Sequence, residues 1–508
     1  MDWLTKWTKE KLEKEYTRRD LLKKIPVASA VVVGTAILGN EAIKYLEKRS
    51  EAQQLSTALP PVEAPVVSTP VDLRAENAKP GTDQWKITKP AGSRLQGFAD
   101  KHSAVPGESV TFYVHSVKPY RIEIYRMGYY QGKGGRLVAK LGSFPEQKQN
   151  LKPLSYTMEA DWEPSYSFKV PGDWPTGMYM AKLVDEDDKE SYIPFVVRQK
   201  FPTATFAVLC GTNTYHAYNN WGGKSLYTYN STNAKQTTAV SFNRPYKSNN
   251  GSGLFFQFEY NLIRWLEKEG YSLTYLTDID LHHRVLEHSN VKALIIAGHS
   301  EYWSMEMRQS VEALTASRIN LAVFSANCAY WQVRMNPDPK GRADRVMLSY
   351  KQFAAQKDPY RTAAPALVTG RWRDEPVNMP EDRMFGSMYI GIPHAPAPLV
   401  VSNDKHWIYE GTGLKNGDMI PGVVGGEVDA YLGKLPGVEV LTRSPVNIDG
   451  QTKEANVIWY NKPTGGKVFA VGSFFWNRFL DPIHFEKSAH ADKAIQTMTK
   501  NALRELMK

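Results

Sequence analysis

His299-Ser300-Glu301 sets an imidazole and a carboxylate two residues apart on a tight strand-to-helix turn, so both side chains can face one crevice. There Glu301 can ligate a metal or act as a base, and His299 can move protons near neutral pH. The plainer alternative makes Glu301 a helix-start carboxylate favoured by the dipole and His299 a satisfied turn residue. Spacing alone leaves both readings open. Ser300 sits where a nucleophile elbow would put it, but the segment lacks the second glycine of G-x-S-x-G. Cys328 can be a nucleophile with His299 or His216, although a small buried thiol after a strand is commoner. Asp278, Asp280, His282 and His283 have ligand chemistry, yet an Asp between a strand and a helix is more often a cap.

The elements that must position these groups are legible from hydropathy. Residues 204–209, 273–276, 293–297 and 320–324 are short apolar runs suited to buried parallel strands. Between them Phe255, Phe258, Leu262, Trp265 and Leu266 recur at helical spacing until Gly270. Ser304 can cap a helix whose Met307, Val311 and Leu314 share a face. Strands alternating with helices predict a parallel sheet with right-handed crossovers, a flavodoxin/class I amidotransferase-like α/β domain over residues 199–508. Residues 350–470 read as an elaboration with returning strands, closed by a helix over 492–507. Ligands in such sheets bind beyond the carboxyl ends of the strands. The four strand ends carry Tyr215, Tyr218, Asn219 and Tyr227, then Asp278 to His283, then His299 and Glu301, then Asn327 and Cys328.

Upstream, residues 85–198 alternate in period two around Pro106-Gly107, Gly132 to Gly135 and Pro171-Gly172, predicting an Ig-like β-sandwich. It carries no catalytic constellation. Its Arg126-Met127-Gly128-Tyr129-Tyr130 edge reads as a hairpin packed on the next domain.

The chain has 508 residues, 42% hydrophobic and 23% charged, which excludes wholesale disorder. Two cysteines exclude a disulfide scaffold and any Cys-rich zinc or iron–sulfur site. Of the net charge of +10, residues 1–50 contribute four, with 11 basic and 7 acidic side chains. Arg18-Arg19 precede an uncharged, mostly apolar run over residues 25–39, the order of a twin-arginine export signal. That run falls short of the ~18–20 residues of a membrane span. No clean A-x-A box follows, so an uncleaved anchor touching the membrane remains an alternative within residues 1–49. Residues 50–84 read as a Pro/Ala-rich linker. The expected location is exported, periplasmic or cell-surface. The remaining charge is spread thinly and accompanies no nucleic-acid-binding motif, so a nucleic-acid partner is not expected.

From about Leu95 to Leu480 the chain resembles the carboxyl-terminal region of the large chain in the N,N-dimethylformamidase family. The resemblance rests on Pro106-Gly107-Glu108, Ile124-Tyr125-Arg126-Met127-Gly128-Tyr129-Tyr130 and Trp174-Pro175-Thr176-Gly177-Met178-Tyr179. It continues in Ala217-Tyr218-Asn219, Thr277-Asp278-Ile279-Asp280-Leu281-His282 and His299-Ser300-Glu301-Tyr302-Trp303-Ser304, and in Gly411-Thr412-Gly413 with Glu427-Val428-Asp429. It implies a mononuclear iron, Fe(III), held by two tyrosines and a glutamate with a histidine nearby. Carried over residue by residue, Glu301, Tyr218 and Tyr227 become the ligands, with Tyr215 as rival for the second phenolate, and His299 the proton carrier. Asn219 and Asn327 are candidates to orient substrate. The implied function is hydrolysis of a small amide, with a second small subunit or a further copy of the chain as partner. The alternative is a non-catalytic cell-surface binding protein on a degenerate enzyme-like domain.

Overall fold

Four of the apolar runs form the centre of one large sheet. In the computed structural model, which describes residues 72–508 apart from 155, 318, 434 and 484–489, the α/β elements run as follows. They are β1 (Phe206–Cys210), α1 (Thr212–Tyr218), α2 (Tyr260–Lys268), β2 (Leu273–Thr277), α3 (Asp278–His282), β3 (Ala293–Ile296), α4 (Met305–Ala316) and β4 (Asn320–Val323). After an excursion come β5 (Val438–Val440), β6 (Ile458–Asn461), β7 (Lys467–Ala470) and α5 (Lys493–Leu506). The sheet order is β2-β1-β3-β4-β7-β6-β5. The first five strands are parallel, whereas β6 and β5 return antiparallel.

Strands β1 to β4 are buried along their whole length, because helices cover both faces and leave no residue for solvent. Alternate side chains divide between the two layers. Phe206, Val208 and Ile295 pack with Leu262, Trp265 and Leu266 of α2 and with Met498 and Leu503 of α5. Ala207, Leu209 and Ile296 pack with Met307, Val311 and Leu314 of α4. Ser304 caps α4 by accepting from the Met307 N–H, and Gly270, at φ +74°, follows the end of α2. The chain leaves β1 toward β2 on one side and returns to β3 on the other. In sheets of this kind, ligands bind at such a reversal, which here falls at the carboxyl ends of β1 and β3.

Upstream lie two antiparallel-rich sheets. Leu95–Ala99, Ser109–Ser116 and Tyr166–Lys169 form one; Ser103–Ala104, Glu190–Val197, Gly177–Asp185, Tyr120–Met127 and Gly135–Phe144 form the other. They share an apolar core that includes Phe112, Val114, Ile122, Leu183 and Phe195, with the Phe112 and Phe195 rings 5.9 Å apart. The Arg126 edge packs on α2: its guanidinium donates to both oxygens of Glu267, at 2.7 and 3.0 Å, with both side chains fully buried.

The end of the expected linker belongs to this folded unit, which spans Pro70–Lys508. Asp72 caps a short helix, Leu73–Asn77. Its Glu76 is buried because Arg136 and Tyr130 meet it, and Asn77 donates to Glu267. A Pro/Ala-rich composition conceals these polar anchors. The expected export signal and the earlier part of the expected linker, residues 1–71, lie outside the described residues. Among the described residues no helix is long and apolar enough to cross a membrane.

Candidate active site

Gly211 joins β1 directly to α1, and its N–H donates to Glu259. Tyr215 and Tyr218 lie three positions apart in α1, a spacing that puts them on one broad helix face, yet their hydroxyls go to different carboxylates. The Tyr215 hydroxyl donates to Glu259. The Tyr218 hydroxyl donates to Glu301 Oε2 at 2.9 Å. The loop after α1 then folds back. Asn230 donates to the Tyr218 carbonyl at 2.9 Å and Ser231 to the Tyr227 carbonyl at 2.5 Å. This holds the Tyr227 hydroxyl 3.1 and 2.9 Å from the two Glu301 oxygens. The Tyr218 and Tyr227 ring centroids are 4.3 Å apart. Glu301 itself is fixed by its N–H, which donates to Thr214 Oγ1 at 2.9 Å. Tyr302, next in the chain, donates to the Tyr227 hydroxyl at 2.7 Å.

His299 stands beside this cluster. Its Nε2 is 3.2 Å from the Tyr218 hydroxyl and 3.3 Å from Glu301 Oε2. Its Nδ1 faces Glu427 Oε2 at 3.8 Å, and the rings of Phe258 and Phe474 flank it at 5.4 and 4.5 Å. Burial disfavours the imidazolium, but the Glu427 and Glu301 carboxylates outweigh it and raise the His299 pKa. For Glu301 burial also acts against charge, yet His299 and the nearby Lys351 hold its pKa below the ordinary value. Glu427, without a hydroxyl cluster of its own, is pushed up to about 7 by burial and by the Glu301 charge. Asn327 donates its side-chain amide to Glu427 at 2.7 Å, and its backbone N–H to Asp429 at 2.8 Å. Lys351 places its ammonium 3.1 Å from the Tyr227 ring centroid and 5.0 Å from that of Trp331. Burial brings its pKa down to about 7.

The structure thus gathers Tyr218, Tyr227, His299, Glu301 and, through Glu427, Asn327. Asn219 is engaged elsewhere: its amide donates to the Pro245 carbonyl, and its oxygen accepts from the Trp221 and Lys247 N–H groups. Ser300 accepts from the Trp303 indole. Cys328 is buried, with its thiol raised by desolvation and directed at the Ala326 carbonyl. The cap of α3 is Thr277, in a capping box with Asp280, while Asp278 accepts from the Asn213 N–H. Residues that spacing did not single out are Lys351, Tyr302 and Phe474, and Phe258, read as part of a helix stripe, instead lies against His299. Glu427 was visible only inside the Glu427-Val428-Asp429 motif, with nothing local to tie it to His299.

The approach of β1 to the His299 turn is close. A Cβ on Gly211 would collide with the His299 carbonyl oxygen, a backbone atom that cannot swing aside. Gly211→Ala is therefore expected to cost about 1–3 kcal/mol, read as a lower thermal-unfolding midpoint and a loss of whatever activity the His299 turn supports.

Residues 121–492 match the family model described as N,N-dimethylformamidase beta subunit-like, C-terminal. The chain belongs to this family. A curated relative, the N,N-dimethylformamidase beta subunit of Paracoccus aminophilus, is 23% identical over 423 residues, which cover 68% of this chain and 54% of that protein. The chain therefore spans about half the length of the dimethylformamidase subunit it matches. Solved structures are distant. The structure of PhoD is 8% identical with a TM-score of 0.23, covering 83% of this chain and 99% of that one. A Paenibacillus cycloisomaltooligosaccharide glucanotransferase is 7% identical with a TM-score of 0.17, covering 75% and 69%. Neither carries an argument about the fold.

The dimethylformamidase-like resemblance implies iron, and the donor set can be tested against that. Two phenol oxygens lie within 2.9–3.1 Å of one carboxylate. Such hard oxygen donors suit a hard cation such as Fe(III). With no thiol among them, the residues present fit the group.

Proposed function

We propose that this chain is an exported, iron-dependent hydrolase of carbon–nitrogen bonds acting on a small amide. The observation that carries the reading is the convergence of Tyr218, Tyr227 and Glu301 oxygens beside the His299 imidazole. Tyr218, Tyr227 and Glu301 would hold the iron. When bound, it would supply Lewis-acid activation of an amide carbonyl and of water. The remaining work falls to the side chains. His299 Nε2 faces the cluster and takes the proton from the water whose oxygen bonds to the carbonyl carbon. It then returns that proton to the amine nitrogen as the C–N bond breaks. Glu427, opposite Nδ1, stabilises the imidazolium in between, and Asn327 holds Glu427 in line. Phe258 and Phe474 exclude bulk water, which strengthens every charge interaction inside.

The same reading covers the scaffold. We take the upstream sheets as an Ig-like sandwich, since they share one core, and the large sheet as flavodoxin- or amidotransferase-like, from its 2-1-3-4 strand order. Export follows from Arg18-Arg19 and the uncharged run after them. A small partner subunit is proposed because the curated relative is named as a beta subunit.

The test is elemental analysis and a visible spectrum on full-length protein produced with ample iron, followed by amine release from N,N-dialkylformamides. A coloured protein with about one iron per chain that releases amine is expected. A colourless, metal-free, inert wild type sinks the proposal in favour of a binding protein. His299→Ala is expected to lower kcat by roughly 10²–10⁴-fold while iron content stays unchanged. Loss of iron in that variant would assign His299 to the ligands instead.

A further inference from the structure

A second constellation lies beyond the carboxyl end of β2. We propose that His282, His283 and Asp344 form a separate site for a borderline divalent cation of the zinc class, independent of the Tyr–Tyr–Glu cluster. One ligand atom from each of the three side chains falls within 4.8 Å of the others. His283 Nε2 is 2.8 Å from Asp344 Oδ2, and His282 Nε2 is 3.8 Å from Asp344 Oδ1. Donors about 2.0–2.2 Å from a tetrahedral zinc stand roughly 3.3 Å apart. These two distances run to different Asp344 oxygens, and one ligand atom from each residue lies within 4.8 Å of the others, so side-chain rotation can bring one carboxylate and two imidazoles onto one ion. Two nitrogens and one oxygen suit zinc and its neighbours better than calcium or magnesium, which take all-oxygen shells.

The surroundings of His282 are those of a supported ligand. Its Nδ1 lies 2.8 Å from Ser304 Oγ and 3.7 Å from Glu306 Oε2. A hydroxyl and a carboxylate behind Nδ1 favour the tautomer that leaves Nε2 free to donate its lone pair, the arrangement that raises ligand basicity. Ser304 Oγ also accepts from Met307; its two lone pairs allow it to accept from Nδ1–H as well. The three ligands come from two chain segments: His282 ends α3, His283 follows it, and Asp344 lies in the loop before Val346–Leu348. His283 is exposed and Asp344 only partly covered, so ions can enter and a water can take the fourth position.

Binding has a structural consequence. Ser304 ends the short strand Tyr302–Ser304, whose preceding residue is Glu301. A cation on His282 would tie α3 and the Asp344 loop to that strand, roughly 10 Å along the backbone from Glu301.

The experiment uses the full-length, iron-loaded protein, stripped of loosely held metal and titrated with Zn²⁺ against a chromophoric chelator. Co²⁺ provides a visible d–d spectrum of the same site. Wild type is expected to bind one zinc saturably and to unfold at a higher temperature with zinc present. His283→Ala and Asp344→Asn each abolish that equivalent, and Glu306→Gln weakens it about tenfold, all without changing iron content. His283 is exposed and Asp344→Asn preserves shape, so both variants fold. No saturable zinc binding by wild type overturns the proposal. So does zinc affinity and stoichiometry unchanged in both ligand variants. Neither result bears on the iron reading, which is followed by iron content and colour.

Discussion

Replacing Glu301 by glutamine yields a colourless protein with iron at background level and amide hydrolysis reduced by on the order of a thousandfold or more. The reason is geometric. Glu301 bonds both phenols, with Tyr218 on Oε2 and Tyr227 on both oxygens. Glutamine keeps the size but replaces one anionic acceptor by an N–H₂ donor, which meets the two hydroxyls wrongly and removes the negative charge that a hard cation requires. The change also deprives Lys351 and His299 of their nearest shared anion. Iron analysis and the visible spectrum read the loss directly, apart from activity. Retention of one iron per chain in Glu301→Gln would remove Glu301 from the ligand set and with it the proposed arrangement.

Glu267→Ala lowers folding stability by about 3–5 kcal/mol. Glu267 lies on α2 and receives four donors: two guanidinium nitrogens of Arg126, the Tyr275 hydroxyl at 2.7 Å and the Asn77 amide at 2.8 Å. Arg126 is completely buried and also donates to the Thr176 carbonyl and to Tyr130. Removing the carboxylate leaves a fully buried guanidinium without its paired anion, where water cannot replace it. The loss is therefore the desolvation of an unpaired charge rather than the worth of the pair. Arg126→Met with Glu267→Met should recover only part of the stability, because it removes the stranded charge but leaves the Tyr275 hydroxyl, the Asn77 amide and the Thr176 carbonyl without these partners. Chemical-denaturation midpoints of the three proteins check both parts. A Glu267→Ala variant within about 0.5 kcal/mol of wild type would show that the sandwich edge and α2 are not clamped by this pair.

Family membership, the buried parallel strands and the His299–Glu301 pairing could be read from the chain because each is a local property. Apolar runs of four to six residues predict strands buried on both faces, and β1 to β4 form where they fall. His299 and Glu301 are two residues apart, so one turn suffices to present both. The capping of α4 by Ser304 needed no long-range information either, whereas the helix expected from Phe255 onward breaks at Glu259 into Phe255–Phe258 and α2, with Phe258 turned to the His299 ring.

What could not be read are relations set by distance in sequence. Glu427 meets His299 across more than 120 residues, and Lys351 covers Tyr227 from the start of the short 3₁₀ helix Lys351–Phe353, which has no distinguishing sequence pattern. The choice between Tyr215 and Tyr227 beside Tyr218 is another case: hydropathy does not distinguish three half-buried or buried tyrosines. Glu259, at the start of α2, takes the Tyr215 hydroxyl, while a loop closed by Asn230 and Ser231 returns Tyr227 to Glu301. Composition also hid the helix Leu73–Asn77 in a linker, since its stability comes from Arg136, Tyr130 and Glu267 rather than from its own residues. Local periodicity encodes which segments are strands and helices. Which hydroxyl meets which carboxylate depends on how those segments cross, and that is decided only when the layers pack.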